Sequence, residues 1–429
     1  MTGPLRIAVA GLGTVGAGVV ELLGRHPGML TRRCGRELKV VAVSARDRGR
    51  DRGVDLGACR WVDDAGALAG DPDIDVVVEL IGGEGVAGAL IEDAIAAGKS
   101  VVTANKALIA RRGTDLARAA ESRGVTLAFE AAVAGGIPIL KAVRESLAGN
   151  RIARVYGILN GTCNYILTAM QESGAEFGEV LAEAQALGYA EEDPALDIDG
   201  VDAAHKLAIL TGMAFGCDVD FESVHVEGIR DVTPTDIAFA AELGYRIKLL
   251  AIARETEHGI EQRVHPCMVP ADTPIAYVGG VFNAVVVEGD HVDRAVFEGR
   301  GAGAGPTASA VVADLIDIAR GLRAPTFAVP ATDLVEARRA TIEHHRGPYY
   351  IRLQVVDRPG VLADIAAILR DERVSIESLL QHGRSPDEAV PVVLTVHDTE
   401  ERSMSAALAK IDRLDTVLEP PHLIRIEPL

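Results

Sequence analysis

Leu5-Arg6-Ile7-Ala8-Val9-Ala10-Gly11-Leu12-Gly13-Thr14-Val15-Gly16 decides how this chain folds. A mainly apolar run leads into Gly-x-Gly-x-x-Gly, and an amphipathic stretch follows to about residue 23. Glycines at these positions let the chain turn sharply and let the backbone approach a pyrophosphate seated at the N-terminus of the next helix. In a strand–turn–helix setting the pattern points to dinucleotide binding through Gly11, Leu12, Gly13, Thr14, Val15 and Gly16. Working outward, Leu38–Ser44 is a second apolar run and residues 76–81 a third. Ser100–Thr103 follows a helical stretch at 87–97, and residues 125–129 follow another. Strands alternating with helices of ten to fifteen residues imply an α/β fold with a Rossmann-like, doubly wound parallel sheet. It spans residues 1–135.

The second strand discriminates between cofactors. NAD-binding sheets usually place an acid at its end to hold the ribose hydroxyls. Here the strand ends Val43-Ser44-Ala45-Arg46, with Arg48 and Arg50 beyond. The Ser44 hydroxyl and the Arg46 guanidinium suit a 2′-phosphate and favour NADP. Asp47 keeps NAD open.

From about residue 151 the pattern changes to longer helices and to strands at 264–269 and 284–288, so residues 136–300 read as a mixed α/β second domain. Residues 301–307 are glycine-rich and open a helix that runs to 320; residues 301–340 are expected to complete the first domain. Residues 321–348 carry Pro325, Pro330, His344, His345, Gly347 and Pro348 and are expected to contain a linker. The last eighty or so residues (349–429) start afresh, with strands at 349–356, 374–380, 390–397 and 423–427 and helices at 359–371 and 402–414. That βαββαβ order is a ferredoxin-like unit.

Between these lies an acidic run. Glu191, Glu192, Asp193, Asp197, Asp199 and Asp202 place six carboxylates within twelve residues, followed by Lys206 and then no charge until Asp218. Lysine is scarce, seven among 43 basic residues. A compact ammonium can share its proton, which a guanidinium cannot do. Asp202 stands four residues before Lys206, on one helical face. Ile209 and Met213 continue that face into apolar interior, so acids closing on a part-buried lysine describe a site for a small cationic molecule.

Bulk properties narrow the classes further. The chain has 429 residues, 48% hydrophobic and 24% charged, ordinary for a globular protein. A net charge of −19 argues against nucleic acid or an anionic membrane as the main partner. Five widely spaced cysteines without a Cys-x-x-Cys pair fit a reduced compartment better than disulfides or zinc. A strand this close to Met1 leaves no expected room for a signal peptide, and no apolar run approaches membrane-span length, so a cytoplasmic location is expected.

Three segments together resemble homoserine dehydrogenases over nearly the full length. They are Thr103-Ala104-Asn105-Lys106 at the end of the fourth strand, Asn160-Gly161-Thr162 at the opening of the second domain, and the Glu191…Asp197…Asp202…Lys206 run. The resemblance implies reversible NAD(P)-dependent interconversion of L-homoserine and L-aspartate 4-semialdehyde, in the biosynthesis of threonine, methionine and isoleucine. It makes the second domain catalytic and dimer-forming, within a homo-oligomer (a dimer or tetramer). It makes Lys206 the proton donor, with Lys106 orienting substrate and Asp202 orienting Lys206. Glu191 and Asp197 would hold the substrate's ammonium or hydroxyl, and Gly161, Thr162 and Tyr189 would complete the pocket. Thr103, Lys106 and Gly305 join the cofactor set. Two ammonium groups beside one oxygen are expected to lower each other's pKa.

By the same resemblance, 129–138 (Phe-Glu-Ala-Ala-Val-Ala-Gly-Gly-Ile-Pro) is a monovalent-cation loop, most simply for Na⁺. Glu130 would offer a carboxylate and Val133, Gly135 and Ile137 their carbonyls, an oxygen set suited to a hard cation. Two other readings compete. Another NADP-dependent amino-acid dehydrogenase is disfavoured by the acids before Lys206, and a non-catalytic nucleotide-binding sensor has no need of both Lys106 and Lys206.

Asp357-Arg358-Pro359-Gly360-Val361-Leu362-Ala363 resembles the ligand loop of an ACT domain. Glycine there lets the backbone approach a small amino acid beside a helix N-terminus. Asp357, Gly360, Val361 and Leu362 are the expected effector contacts, with threonine the expected effector. Truncation near residue 345 is expected to leave an active enzyme without a threonine response.

Overall fold

A computed structural model describes residues 3–382 and 389–429. β1 (Leu5–Ala10), β2 (Leu38–Ser44), β3 (Arg60–Trp61), β4 (Val76–Glu79), β5 (Ser100–Thr103) and β6 (Leu127–Ala128) form one parallel sheet ordered β3-β2-β1-β4-β5-β6. Its central strands are buried on both faces, which is why they read as unbroken apolar runs. The order reverses between β1 and β4, and at such a switch point ligands bind beyond the carboxyl ends of the strands. The helix Ala304–Arg320 returns to this unit and packs along Thr14–Arg25, burying Ala308, Val311 and Leu315 with β1 and β4.

The second sheet is mixed. Its strands are β7 (Ile152–Ile158), β8 (His225–Val226), β9 (Tyr245–Thr256), β10 (Gly259–Pro270), β11 (Phe282–Gly289), β12 (Asp293–Arg300), β13 (Arg339–Ala340), β14 (Arg346–Val356), β15 (Ile376–Gln381), β16 (Ala389–Glu400) and β17 (His422–Ile426). The main path runs β12-β11-β7-β9-β10-β17-β14-β16-β15, with β8 and β13 also paired to β10. The helix Val201–Phe215 packs on this sheet and on the helix Lys106–Ser122, so nearly all its faces are buried.

β14 to β17, with helices Val361–Asp371 and Glu401–Ile411, form the βαββαβ unit. It does not hang free. β17 pairs parallel with β10, Cys267 opposite Arg425 and Met268 opposite Ile426, so one sheet crosses from the second domain into the third. The expected linker is likewise packed rather than loose: Phe327 is fully buried against Phe129, β13 joins β10, and the 2% exposed His345 bonds Glu261. No described helix is long and apolar enough to cross a membrane.

Candidate active site

Lys106 is the first residue of its helix, directly beyond β5, where Asn105 caps the helix by accepting from Leu108 N at 3.2 Å. Lys206 comes from the second turn of Val201–Phe215. The two meet across one carboxylate. Asp202 Oδ1 lies 2.7 Å from Lys106 Nζ and Asp202 Oδ2 lies 2.7 Å from Lys206 Nζ. Lys206 Nζ also donates to the carbonyl of Leu159 at 2.7 Å. Asn160, which caps the helix Gly161–Ser173, turns its Nδ2 to Asp197 at 2.7 Å and Asp202 at 2.8 Å. A buried carboxylate is tolerable only when paired and hydrogen-bonded in this way.

The electrostatics separate the two lysines. Burial lowers the Lys206 pKa, and the neighbouring Lys106 charge adds to the fall although Asp202 opposes it. For Lys106 burial also works against the charge, but Asp202, with Asp197 and Glu191 behind it, outweighs that and the pKa rises. The expected mutual lowering therefore holds for Lys206 alone, because the anion stands between the ammonium groups instead of beside them. Asp202 is held far below the usual carboxylate range: burial opposes ionisation, but the two lysines prevail. Burial raises Asp197.

These groups line a cavity of about 380 Å³. Gly161, Thr162 and Tyr189 form part of its wall, with the Thr162 hydroxyl donating to the Tyr189 carbonyl at 2.8 Å. Glu191 is exposed and outside the lining, near enough only for its charge to act on Lys106. Three lining groups escaped the sequence reading: Val281, Asn283 and Arg300; the Gly301–Gly303 backbone that follows belongs to the glycine-rich stretch already singled out. Asn283 and Arg300 lie in β11 and β12 and Val281 in the turn before β11, where the local pattern carries no sign of a site.

The nucleotide cradle is a separate cavity of about 670 Å³ at the sheet's switch point, bounded by Gly11, Leu12 and Gly13 after β1 and by Leu80, Ile81 and Gly82 after β4. A Cβ on Gly11 would stand 2.4 Å from the Leu80 carbonyl oxygen, and one on Gly16 1.9 Å from that of Gly11. Gly13 faces open space, which leaves its backbone accessible to a phosphate. Thr14 and Val15 begin the helix behind it. Ser44, Arg46, Asp47 and Arg50 line the end beyond β2, joined by Arg52, whose guanidinium lies 5.4 Å from the Trp61 ring. Thr103 is fully buried and gives its hydroxyl to Glu79 at 2.6 Å, so its side chain lines neither cavity. Gly305 is exposed in the first turn of the helix that packs along Thr14–Arg25.

Glu130 is 3% exposed and accepts from Leu140 N at 3.0 Å and Lys141 N at 2.8 Å. Burial, with the Asp314 charge behind it, pushes its pKa up to about 8. Gly135 takes a positive φ of 43°, and a Cβ there would meet the Gly301 carbonyl oxygen at 2.3 Å. The carbonyls of Val133 and Gly135 accept no backbone hydrogen bond among the described residues, whereas that of Ile137 accepts from Ile139 N at 2.8 Å. His265, Cys267 and Glu427 also cluster, but Arg263 bonds both His265 and Glu427, and burial raises the Cys267 thiol. In the third domain, Asp357, Gly360, Val361 and Leu362 line a cleft of about 360 Å³ with Gln381 of β15 opposite.

Residues 138–316 match the family model for homoserine dehydrogenase, residues 11–130 the model for its NAD-binding domain, and residues 349–416 the ACT domain. The homoserine dehydrogenase of Pseudomonas aeruginosa is 47% identical, covering 99% of each chain. The chain belongs to the homoserine dehydrogenase family. It is thus an NAD(P)-dependent oxidoreductase of amino-acid biosynthesis with a C-terminal ACT domain. A crystal structure of a homoserine dehydrogenase from Thiobacillus denitrificans superposes with a TM-score of 0.95 at 47% identity, covering 100% of both chains. A hyperthermophilic archaeal homoserine dehydrogenase in complex with NADPH gives a TM-score of 0.65 at 28% identity, covering 75% of this chain and 99% of that one.

Proposed function

We propose that Lys206 is the proton donor and acceptor of homoserine dehydrogenase chemistry in this chain, with Asp202 as its anchor and Lys106 as the second cation at the reacting oxygen. One carboxylate bridging two ammonium groups at the wall of a single cavity carries this reading. When bound, the nicotinamide supplies hydride to the aldehyde carbon or takes it from the alcohol. In the reducing direction Lys206 Nζ gives a proton to the aldehyde oxygen, which becomes the hydroxyl of homoserine. Lys106, charged and more open to the cavity, stabilises negative charge developing on that oxygen. In the oxidising direction neutral Lys206 takes the hydroxyl proton back, a role its lowered pKa favours. Asp197 and the outlying Glu191 attract the substrate ammonium, while Gly161, Thr162 and Tyr189 shape the pocket.

NADP is the preferred cofactor, supported by Ser44 and Arg46 in the cradle and by the NADPH complex of the archaeal relative. Glu130 and the carbonyls of Val133 and Gly135 suit a monovalent cation such as Na⁺; the Ile137 carbonyl keeps a second lone pair for it. Its role would be structural, since Gly135 packs on the 301–303 loop that lines the catalytic cavity. The ACT cleft takes a small amino acid, threonine first, and the protein acts as a homo-oligomer. The central test follows NADPH absorbance with aspartate semialdehyde, and NADP⁺ reduction with homoserine, in the wild type and in Lys206→Met. Equal turnover by the two proteins would sink the assignment of Lys206.

A further inference from the structure

Asn283, in β11, is 1% exposed, and neither its Oδ1 nor its Nδ2 finds a hydrogen-bond partner among the described residues. Buried amide atoms are nearly always satisfied, so an orphaned pair calls for a partner from elsewhere. Asn283 lines the cavity of Lys106, Asp202 and Lys206 and is absent from the lining of the nucleotide cradle. Glycine lets the neighbouring backbone come close to the amide. A Cβ on Gly301 would lie 2.2 Å from its carbon and nitrogen, and one on Gly161 3.3 Å from Oδ1.

The turn entering Asn283 is also anchored. Asn164 Nδ2 donates to the carbonyls of Val278, Gly280 and Phe282 at 3.2, 2.9 and 3.1 Å. The 3% exposed Lys248 adds bonds to Val278 O at 2.6 Å and Asn164 Oδ1 at 3.1 Å. Asn164 belongs to the helix that opens with Gly161, so one helix positions both the orphaned amide and, beside it, the N–H groups of Gly161 and Thr162, which the Asn160 cap does not engage. A helix N-terminus favours a carboxylate. The shared substrate core offers a carboxylate acceptor and an ammonium donor on one carbon, which matches the donor and acceptor of a single amide.

We propose that Asn283 binds the amino-acid end of the substrate, Nδ2 donating to the α-carboxylate and Oδ1 accepting from the α-ammonium. This rests on the reading of the cavity as the homoserine site. The test uses the full chain with Asn283→Leu, which removes both groups, and Asn283→Asp, which keeps the size but replaces the donor with an anion. KM for homoserine and for NADP⁺, kcat and Tm are measured for each. We expect KM for homoserine to rise about tenfold or more in both variants, with KM for NADP⁺ unchanged. A rise confined to KM for NADP⁺ would place the amide against the nicotinamide carboxamide and overturn the proposal. A lower Tm with wild-type KM for homoserine would leave the amide structural and overturn it too. Should the leucine variant fail to fold, the aspartate variant decides. Turnover of homoserine by the wild type separates failure of this proposal from failure of the reading beneath it.

Discussion

Arg263 of β10 and Glu427, just beyond β17, pair inside the protein, with side chains 1% and 5% exposed. Arg263 also holds Glu261, and Arg425 of β17 ties Glu227 to Glu401 at 2.6–3.0 Å. The ACT domain therefore shares buried charge with the catalytic sheet as well as backbone pairing. Breaking such a pair from one side costs about 3–5 kcal/mol, because the remaining charge stays buried. Glu427→Ala is expected near the lower end of that range, since Glu261 remains, with a clear fall in the denaturation midpoint. Truncation near residue 345 should destabilise the catalytic domain instead of merely uncoupling it. A truncated chain as stable as the catalytic part of the full protein would overturn this.

Lys206→Met keeps volume and removes the charge. General acid catalysis contributes roughly 10²–10⁴-fold, so kcat should fall by that order while KM for homoserine changes far less. A folded variant with wild-type kcat would reduce Lys206 to an ion-pair partner of Asp202.

Asp202→Asn tests the electrostatics by pH. Asp202 raises the pKa of Lys206 against burial and Lys106, so its loss should lower that pKa further. With Lys206 as the proposed proton donor, aldehyde reduction needs it protonated and is lost as pH rises through its pKa. The alkaline limb of kcat for reduction should therefore move to lower pH in the variant. A limb that stays in place, or moves upward, would mean that another group supplies the proton.

Much of this was legible in the sequence, for physical reasons. The parallel strands are buried on both faces and read as apolar runs, and the helix of Lys206 is apolar almost all round because it is buried between a sheet and a helix. β12 was missed, since Asp293–Arg300 alternates between part-buried and exposed residues at a sheet edge and half its sequence is charged. The union of β17 with β10 has no local signal: it joins residues some 158 positions apart through register. Asn283 reads as an ordinary strand residue, and its orphaned amide appears only when Gly161 and Gly301 are brought to it. The pKa of Lys106 was misjudged because residue order does not say that the carboxylate lies between the two lysines.

Arg46→Ala should weaken NADP(H) more than NAD(H), because only the former carries the 2′-phosphate. A charge-assisted hydrogen bond is worth about 1.5–3 kcal/mol, so the preference should shift by roughly tenfold or more. Arg50 and Arg52 share this end of the cradle and set an upper limit on the loss from one substitution. Equal losses with both cofactors would place Arg46 on the shared pyrophosphate or nowhere near the nucleotide.

The ACT cleft supplies the last test. Gly360 caps the helix Val361–Asp371 with φ at +102°, a conformation that side chains rarely adopt, and it leaves the helix N-terminus open to a carboxylate. Asp357 faces the same cleft, where Gln381 Nε2 donates to its Oδ1 at 3.4 Å, and its other oxygen offers an acceptor for an effector's ammonium. Threonine bound there would act on β14, which pairs with β17, and β17 is hydrogen-bonded to β10, on which the Lys206 helix packs. That gives a continuous route from the cleft to the Lys206 helix, and coupling of this kind is reciprocal. Threonine should inhibit the full-length protein and give a calorimetric binding signal. Asp357→Ala should raise the half-inhibitory concentration by about tenfold through loss of a charged hydrogen bond. Homoserine and cofactor bound at the active site should shift threonine affinity by the same factor that threonine shifts theirs. Absence of both inhibition and heat at millimolar threonine would remove threonine as the effector, and isoleucine and methionine would then be tested on the same cleft.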